Sequence, residues 1–294
     1  MIEAGRRSFN RVALAPSLVV LAAVAGLPAL YLLVVSLTPF QLADPGTASD
    51  FSAPLRNYLL LPRDPRFINS LLVQAKLSFW GVLFQVLLGM LLALLLHTQS
   101  RVVEFARTFF LIPMVLPPIV VAVIWKLVYT PDISPLYYAA SLLHITLPAL
   151  TSDVNFALWS IIVADTWEWL PFTFLMVLAA LQTIPDEYAE AAKVDGANPV
   201  QIFLYVTLPF IMPILIVSAM FRLIDSVKAF PLIFLLTQGG PGDVTEVTNY
   251  YAYLLAFDNN EIGYSGAVTV VMLLLVSAVS LGVLWMGRRR EASA

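Results

Sequence analysis

Seven charged side chains sit inside long apolar runs; Lys76 and Lys126 can snorkel or pair near span ends, and the other five are the residues with chemistry to offer. Asp165 and Glu168 lie in one run; Arg222, Asp225 and Lys228 lie in another. Charge inside hydrocarbon is costly, so such groups either meet a solute or pair with one another. At helical pitch, Asp165, Glu168, Trp169 and Phe172 fall within an arc of about 100° on one helix face. Arg222, Asp225, Ser226 and Ala229 fall within an arc of similar width, with Lys228 at its edge. One stripe is acidic and aromatic, the other of mixed charge. Carboxylates accept paired hydrogen bonds from vicinal hydroxyls, and Trp169 or Phe172 can stack on the apolar face of a sugar ring. Equally, Arg222 with Asp165 or Glu168 makes an interhelical ion pair that lets charge exist at depth. Both readings stay open at this stage. Bond-making chemistry has no comparable candidate. The chain has no cysteine, hence no thiolate nucleophile or thiolate metal ligand, and His97 and His144 lack paired ligand spacing. No metal site and no cofactor are expected. A phosphate-binding G-x-x-x-x-G-K-[ST] loop is absent too, because Gly239-Gly240-Pro241-Gly242 is followed by Asp243.

The runs that carry these residues identify the surroundings. Of 294 residues, 60% are hydrophobic and 12% charged, about half the charge of an average soluble domain. A net charge of −3 excludes a nucleic-acid binder driven by bulk positive potential. Crossing a bilayer takes about 20 mainly apolar residues. Six runs qualify: about Val12 to Thr38, Asn69 to Leu96, Thr108 to Tyr129, Asn155 to Leu181, Leu208 to Leu236 and Ile262 to Gly287. All are expected to be helices, since an open sheet edge has no partners in lipid. The first is too long for a cleavable signal peptide and has no small-residue cleavage site after it. Arg6, Arg7, Arg11, Arg101, Arg107, Lys193, Arg288, Arg289 and Arg290 collect on one side of this arrangement, and only Arg56, Arg63 and Arg66 on the other. By the positive-inside rule both termini are expected in the cytoplasm. The organisation is thus an all-α membrane protein with a short tail at 1–11, a six-helix domain at 12–287 and a tail at 288–294. Pro171 and Pro231 are expected to kink spans beside the charged stripes. The run Asn249-Tyr-Tyr-Ala-Tyr253 reads as an interfacial helix whose tyrosines sit at headgroup depth or face an external partner.

The segment between the fourth and fifth runs, 183–207, differs in composition. Thr183 can cap a helix with Pro185, Asp186 and Glu187 in its first turn. Ala189, Ala191 and Ala192 make that helix slim, and Gly196 can take the left-handed conformation that ends it. Asn198 then caps a second helix with Pro199 at its first position. A helix–turn–helix on the cytoplasmic surface results.

Glu190-Ala191-Ala192, three residues, Gly196, nine residues, then Val206-Thr207-Leu208-Pro209 resembles the EAA signature of ABC importer permeases, with valine where the signature has isoleucine. Leu235 to Gly242 is similar to the Leu-Thr-x-Gly-Gly-Pro element of carbohydrate-uptake permeases, Leu111 to Pro118 to their Leu-Pro-x-x-x-Pro element, and Asp165 to Pro171 with Ala180 to Pro185 to their fourth span. The Gly-Gly-Pro element points to the subgroup of the larger maltose-importer permease and the first glycerol-phosphate permease.

This resemblance implies a type I ABC importer permease fold in a bacterial inner membrane, with no enzymatic activity of its own. Glu190, Ala191, Ala192, Lys193, Asp195 and Gly196 would form the coupling helix that docks into an ATPase subunit. MgATP would sit on that ATPase dimer. The other implied partners are a second, similar permease, a periplasmic or lipid-anchored solute-binding protein, membrane lipid and a carbohydrate-like substrate. By the same resemblance the substrate cavity falls on Met114, Pro118, Asp165, Glu168, Trp169, Phe172, Arg222, Ser226 and Ala229, with Asp225 and Lys228 on the same stripe. Most of these positions are neutral in the maltose-type permease and several are charged here. Arg222 with Lys228 therefore also allows a phosphorylated or sulfonated solute such as a glycerol phosphate. A secondary transporter using the charged stripe as an ion relay is the competing class, against which stand the lack of an inverted repeat and of a broken-helix pair.

Overall fold

A computed structural model describes residues 14–97 and 101–291. The tail at 1–11, and with it Arg6, Arg7 and Arg11, lies outside the described residues, as do residues 292–294 of the second tail. Among the described residues the chain is helical apart from turns and one isolated bridge, Gln41 to Asp44. The helices that matter below are α1 (Leu14–Ser36), α2 (Pro65–Leu95), α3 (Pro118–Tyr129), α4 (Ala157–Leu181), α5 (Asp186–Val194), α6 (Pro199–Ser226), α7 (Phe230–Leu236) and α8 (Ile262–Glu291). Five of them, α1, α2, α4, α6 and α8, are long and apolar enough to cross a membrane.

The expected third span is not one helix. It is divided into Arg101–Phe110, Ile112–Val115 and α3, which at 12 residues is too short to cross alone. Proline chemistry explains the division. Leu116 and Pro117, each preceding a proline, take extended ψ values of 139°, because the following ring excludes the helical region. The expected fifth span begins earlier, at Pro199, and breaks at Val227–Ala229 before α7. Two interrupted helices are therefore present where the sequence shows no broken pair, which removes that objection to an ion-coupled transporter. Pro171, by contrast, lies inside α4 without ending it.

The chain forms two compact units. One comprises the residues up to Pro65 with Ala252–Met272, the other Arg66–Tyr251 with the residues from Leu273 onward. In the first, Asn57 Nδ2 donates to the carbonyls of Ser36 and Thr38, both at 2.9 Å, and so satisfies acceptors freed at the end of α1. Gly263 meets the Thr38 carbonyl and Phe40 so closely that no side chain fits there.

The second unit is built on α2, α4 and α6. The buried residues of α2 include a row of small or amide side chains at helical spacing, Ser70, Gln74, Ser78, Gly81, Gln85 and Gly89, beside the larger Phe67, Val73 and Leu77. Small residues let helix backbones approach where no hydrophobic force draws them together in lipid. A Cβ on Gly89 would lie 2.8 Å from Thr173 Cβ and 3.0 Å from the Phe174 nitrogen of α4. Thr173 in turn accepts from Ser218 of α6 at 3.1 Å. Below these contacts Ala93, Phe174, Val177, Leu178, Ile211 and Leu215 close a dry core among the three helices. The short helices α3 and α7 pack against each other and against α4.

Candidate functional site

The charged stripes of α4 and α6 do meet, and a residue of α2 joins them. Arg222 is 2% exposed. Its Nε donates to Gln85 Oε1 at 2.8 Å and its Nη1 to Asp225 Oδ2 at 2.6 Å. Its guanidinium lies 4.3 Å from the centre of the Trp169 ring, a cation–π contact worth about 2 kcal/mol when desolvated. Its Nη2 stands 3.8 Å from Asp165 Oδ1 without a hydrogen bond. Gln85 closes the circuit, donating from Nε2 to Asp165 Oδ2 at 2.8 Å and to the Asp165 carbonyl at 3.2 Å. Gly81, one turn before Gln85, makes room: a Cβ there would lie 3.2 Å from Asp165 Oδ2. Asp225 continues outward to Lys228, whose Nζ is 3.2 Å from Oδ1.

The break after α6 is held by side chains. Ser226 Oγ shares a 2.7 Å hydrogen bond with Ser78, and Gln74 Nε2 reaches the Ser226 carbonyl at 3.4 Å. Asn249 Nδ2 donates to the Val227 carbonyl at 2.6 Å. Acceptors left open by a helix end inside an apolar bundle need such donors.

Asp165, Trp169, Arg222, Asp225 and Lys228 thus form one cluster, with Ser226 buried beside it. Glu168 is 2% exposed and accepts no hydrogen bond from the described residues, although Asp165, Arg222 and Asp225 act on it electrostatically. Phe172 makes an edge contact with Phe221, ring centres 6.3 Å apart. Met114 and Pro118 stand on the interrupted third segment, with no side-chain hydrogen bond or ion pair to the cluster among the described residues; Ala229 precedes α7, its N–H donating to the Ser226 carbonyl at 3.3 Å. Of the two sequence readings of the stripe, the ion pair describes Arg222 with Asp165, while Glu168 has no such tie. Sequence reasoning missed Gln85, Gln74 and Ser78. Two glutamines in one apolar run were the available signal, since intramembrane amides seek partners.

The segment between α4 and α6 has the turn that the sequence requires. Gly196 has φ +80°, its N–H donates to Lys193 O at 3.0 Å, and the Ala197 N–H donates to Ala192 O at 2.9 Å, a closed left-handed helix end. Asn198 and Gln201 exchange side chain-to-backbone hydrogen bonds of 3.0 and 2.8 Å, a capping box. Thr183 does not cap α5. Its hydroxyl donates back to Ala180 O at 2.7 Å, and Pro185 occupies the cap position. Glu190, Ala191, Lys193, Asp195 and Gly196 are all exposed, and Val194 is 89% exposed.

Residues 85–291 match the model of the family described as binding-protein-dependent transport system inner membrane component. The chain belongs to this family. It is 36% identical over 270 residues to the probable ABC transporter permease protein y4oQ of Sinorhizobium fredii, covering 92% of this chain and 87% of that one. It is 33% identical over 237 residues to the trehalose/maltose transport system permease protein MalF of Thermococcus litoralis, covering 81% and 80%. Its fold matches a solved chain of a bacterial ABC transporter involved in the import of the acidic polysaccharide alginate, with TM-score 0.82, 20% identity and coverage of 98% and 97%. It is a multi-pass ABC transporter permease, a transport component.

In this permease the Gly-Gly-Pro loop is a folded element rather than a free tip. Gln238, Gly239 and Gly242 have positive φ, and Gly240–Pro241 is cis. Thr245 Oγ1 bridges Thr237 Oγ1 and the Gly240 carbonyl at 2.8 Å each. Arg66 grips Glu246 with two hydrogen bonds of 2.7 and 2.6 Å, a bidentate pair with fixed geometry. Two of the three tyrosines of the following helix depart from the sequence expectation of an interfacial position, while Tyr253 is half-buried. Tyr250 and Tyr251 are 5% and 4% exposed. A Cβ on Gly239 would lie 2.9 Å from the Tyr250 ring, and Arg66 sits 5.4 Å from the Tyr251 ring centre. They pack the loop instead of facing lipid headgroups.

Proposed function

We propose that this permease forms half of the translocation pathway of an ATP-driven importer for a sugar, polyol or sugar derivative. The observation that carries this reading is the cluster at the α6 break. It sets hydrogen-bonding carboxyls and half-buried aromatic rings together at a point where the helix is interrupted, and such points in membrane helices serve solute sites. The trehalose/maltose relative supports the solute class. The α5–α6 segment supports a docking role, being a rigid, exposed turn with alanines on its surface. In this reading it seats in an ATPase subunit that holds MgATP, a second permease completes the pathway, and a solute-binding protein delivers the cargo. The membrane is the bacterial inner membrane, both termini are cytoplasmic, and the third, interrupted segment completes six crossings.

A phosphorylated solute fits the geometry less well, because both cations of the cluster already pair with carboxylates. Uptake into proteoliposomes by the reconstituted complex tests the reading. Uptake of labelled saccharides is expected to require ATP and the binding protein together; uptake driven by an ion gradient without ATP would overturn it.

A further inference from the structure

At one end of the first compact unit, charged groups of both signs line a cavity without pairing across it. The ends of two spanning helices build its floor. The Gly263 N–H donates to the Phe40 carbonyl at 2.8 Å and the Leu42 N–H to the Asn260 carbonyl at 2.9 Å, which ties the chain leaving α1 to the start of α8. The short helix Arg56–Leu60 and the turn Leu61–Arg63 form a wall. This wall stands on the end of α1 through Asn57 and through a 2.6 Å hydrogen bond between Tyr58 and Ser36.

The cavity has a volume of about 360 Å³, within the range of small-molecule sites. Arg56, Arg63, Asp64, Glu261 and Tyr264 line it. Asp64 accepts from the Tyr264 hydroxyl at 2.8 Å. Neither guanidinium, nor the Glu261 carboxylate, makes a side-chain hydrogen bond or an ion pair among the described residues. Opposite charges that share one space and stay apart describe a ligand that joins them, with a negative end and a positive end. The place narrows the choice. α1 ends at Ser36 and α8 begins at Ile262, so a cavity lined by Phe40 and Glu261 lies where spanning helices leave the hydrocarbon, at headgroup depth.

A second cavity of about 460 Å³ shares Arg56, Leu60 and Arg63 and is otherwise lined by Ala53, Pro54, Leu55 and Leu59. Leu55, Leu59 and Leu60 are exposed, as are Leu33 and Val34 near the end of α1. Polar and apolar halves thus adjoin, as in an amphiphile. A phosphodiester between two arginines gains charge-assisted hydrogen bonds, and a primary ammonium has three protons to donate to carboxylates. A phospholipid lacking an amine meets Glu261 with charge of the same sign, and a choline headgroup has no N–H to donate.

We propose that this cavity holds the headgroup of a phospholipid bearing a primary amine. Its phosphate lies on Arg56 and Arg63, its ammonium on Glu261 beside Asp64, and its acyl chains over the exposed leucines.

The full-length permease in detergent, titrated with short-chain lipids by microscale thermophoresis, tests this. Dihexanoyl phosphatidylethanolamine is expected to bind saturably, and about tenfold or more tighter than dihexanoyl phosphatidylcholine or phosphatidylglycerol, the difference expected for a charge-assisted hydrogen bond. The double variant Arg56→Gln, Arg63→Gln should weaken that binding by about tenfold or more, and Glu261→Gln should bring the ethanolamine and choline lipids within about threefold of each other. Gel filtration and the unfolding midpoint without lipid control for folding; should Glu261→Gln not fold, the exposed arginine pair decides alone. Equal affinity for the three lipids, or unchanged binding by the arginine variant, would overturn the proposal. Phosphoethanolamine binding as tightly as the lipid would overturn it in favour of a free headgroup. Loss of solute-binding-protein affinity in the arginine variant of the complex, with lipid affinity intact, would overturn it in favour of protein docking.

Discussion

Arg222 and Glu168 are both buried carriers of charge, yet their surroundings assign them different consequences. Arg222 holds three helices through Gln85, Asp165 and Asp225. Removing one member of a buried ion pair leaves the other uncompensated, which costs about 3–5 kcal/mol. Arg222→Met is therefore expected to lower the thermal unfolding midpoint of the purified permease substantially. Glu168→Leu removes a buried polar group that has no hydrogen-bond partner among the described residues, and should change stability by less than about 1 kcal/mol. The two midpoints, measured in the same detergent, check the contrast; equal destabilisation would mean that Glu168 belongs to the ion-pair network. The stripe itself was legible in the sequence, since helical spacing alone aligns these side chains. Which member was tied and which was open was not, because that depends on Gln85, which lies 137 residues from Arg222.

Among the elements, two glycines carry opposite requirements. Gly89 is needed for lack of space: a Cβ there would run into Thr173 and the Phe174 backbone. Gly89→Ala should separate α2 from α4 at a cost of about 1–3 kcal/mol, seen as a lower unfolding midpoint. Gly196 is needed for conformation, since φ is +80° and nothing lies within 4 Å of a Cβ built there. Gly196→Ala is expected to cost about 1–2 kcal/mol of turn stability. Gly196→Pro cannot form the turn at all, because proline fixes φ near −65°. In the reconstituted complex both should lower the ratio of solute imported to ATP hydrolysed, the proline more severely. An unchanged ratio for the proline variant would argue against the docking role. The turn was readable because glycine and capping preferences act within a few residues. The breaks of the third and fifth segments were readable only as prolines, since a proline inside a helix either kinks it, ends it or, as Pro171 does, is absorbed.

For the whole molecule the open question of sidedness has a direct measurement. The chain has no cysteine, so a single introduced thiol reports its own side. Val194→Cys and Leu143→Cys replace side chains that are 89% and 72% exposed. An impermeant maleimide applied to intact cells stripped of their outer layer is expected to label Leu143→Cys and spare Val194→Cys, with the reverse in inverted vesicles. Labelling of Val194→Cys from outside would invert the topology drawn from the arginines. Among the described residues five helices of membrane-spanning length emerge where six runs are apolar, the third run being the interrupted one.

Amino-acid order alone determined what depends on near neighbours: where apolar runs form helices, which faces gather charge, and where glycine and asparagine turn the chain between α5 and α6. Tertiary structure decided what depends on distant ones: that Arg222 rests on an amide of α2, that an asparagine caps the broken end of α6, and that Tyr250 and Tyr251 fold inward over a glycine loop. Periodicity and dihedral preference are local properties of a chain. A buried donor's acceptor is whichever group packing brings within reach, and in lipid no water can substitute for it.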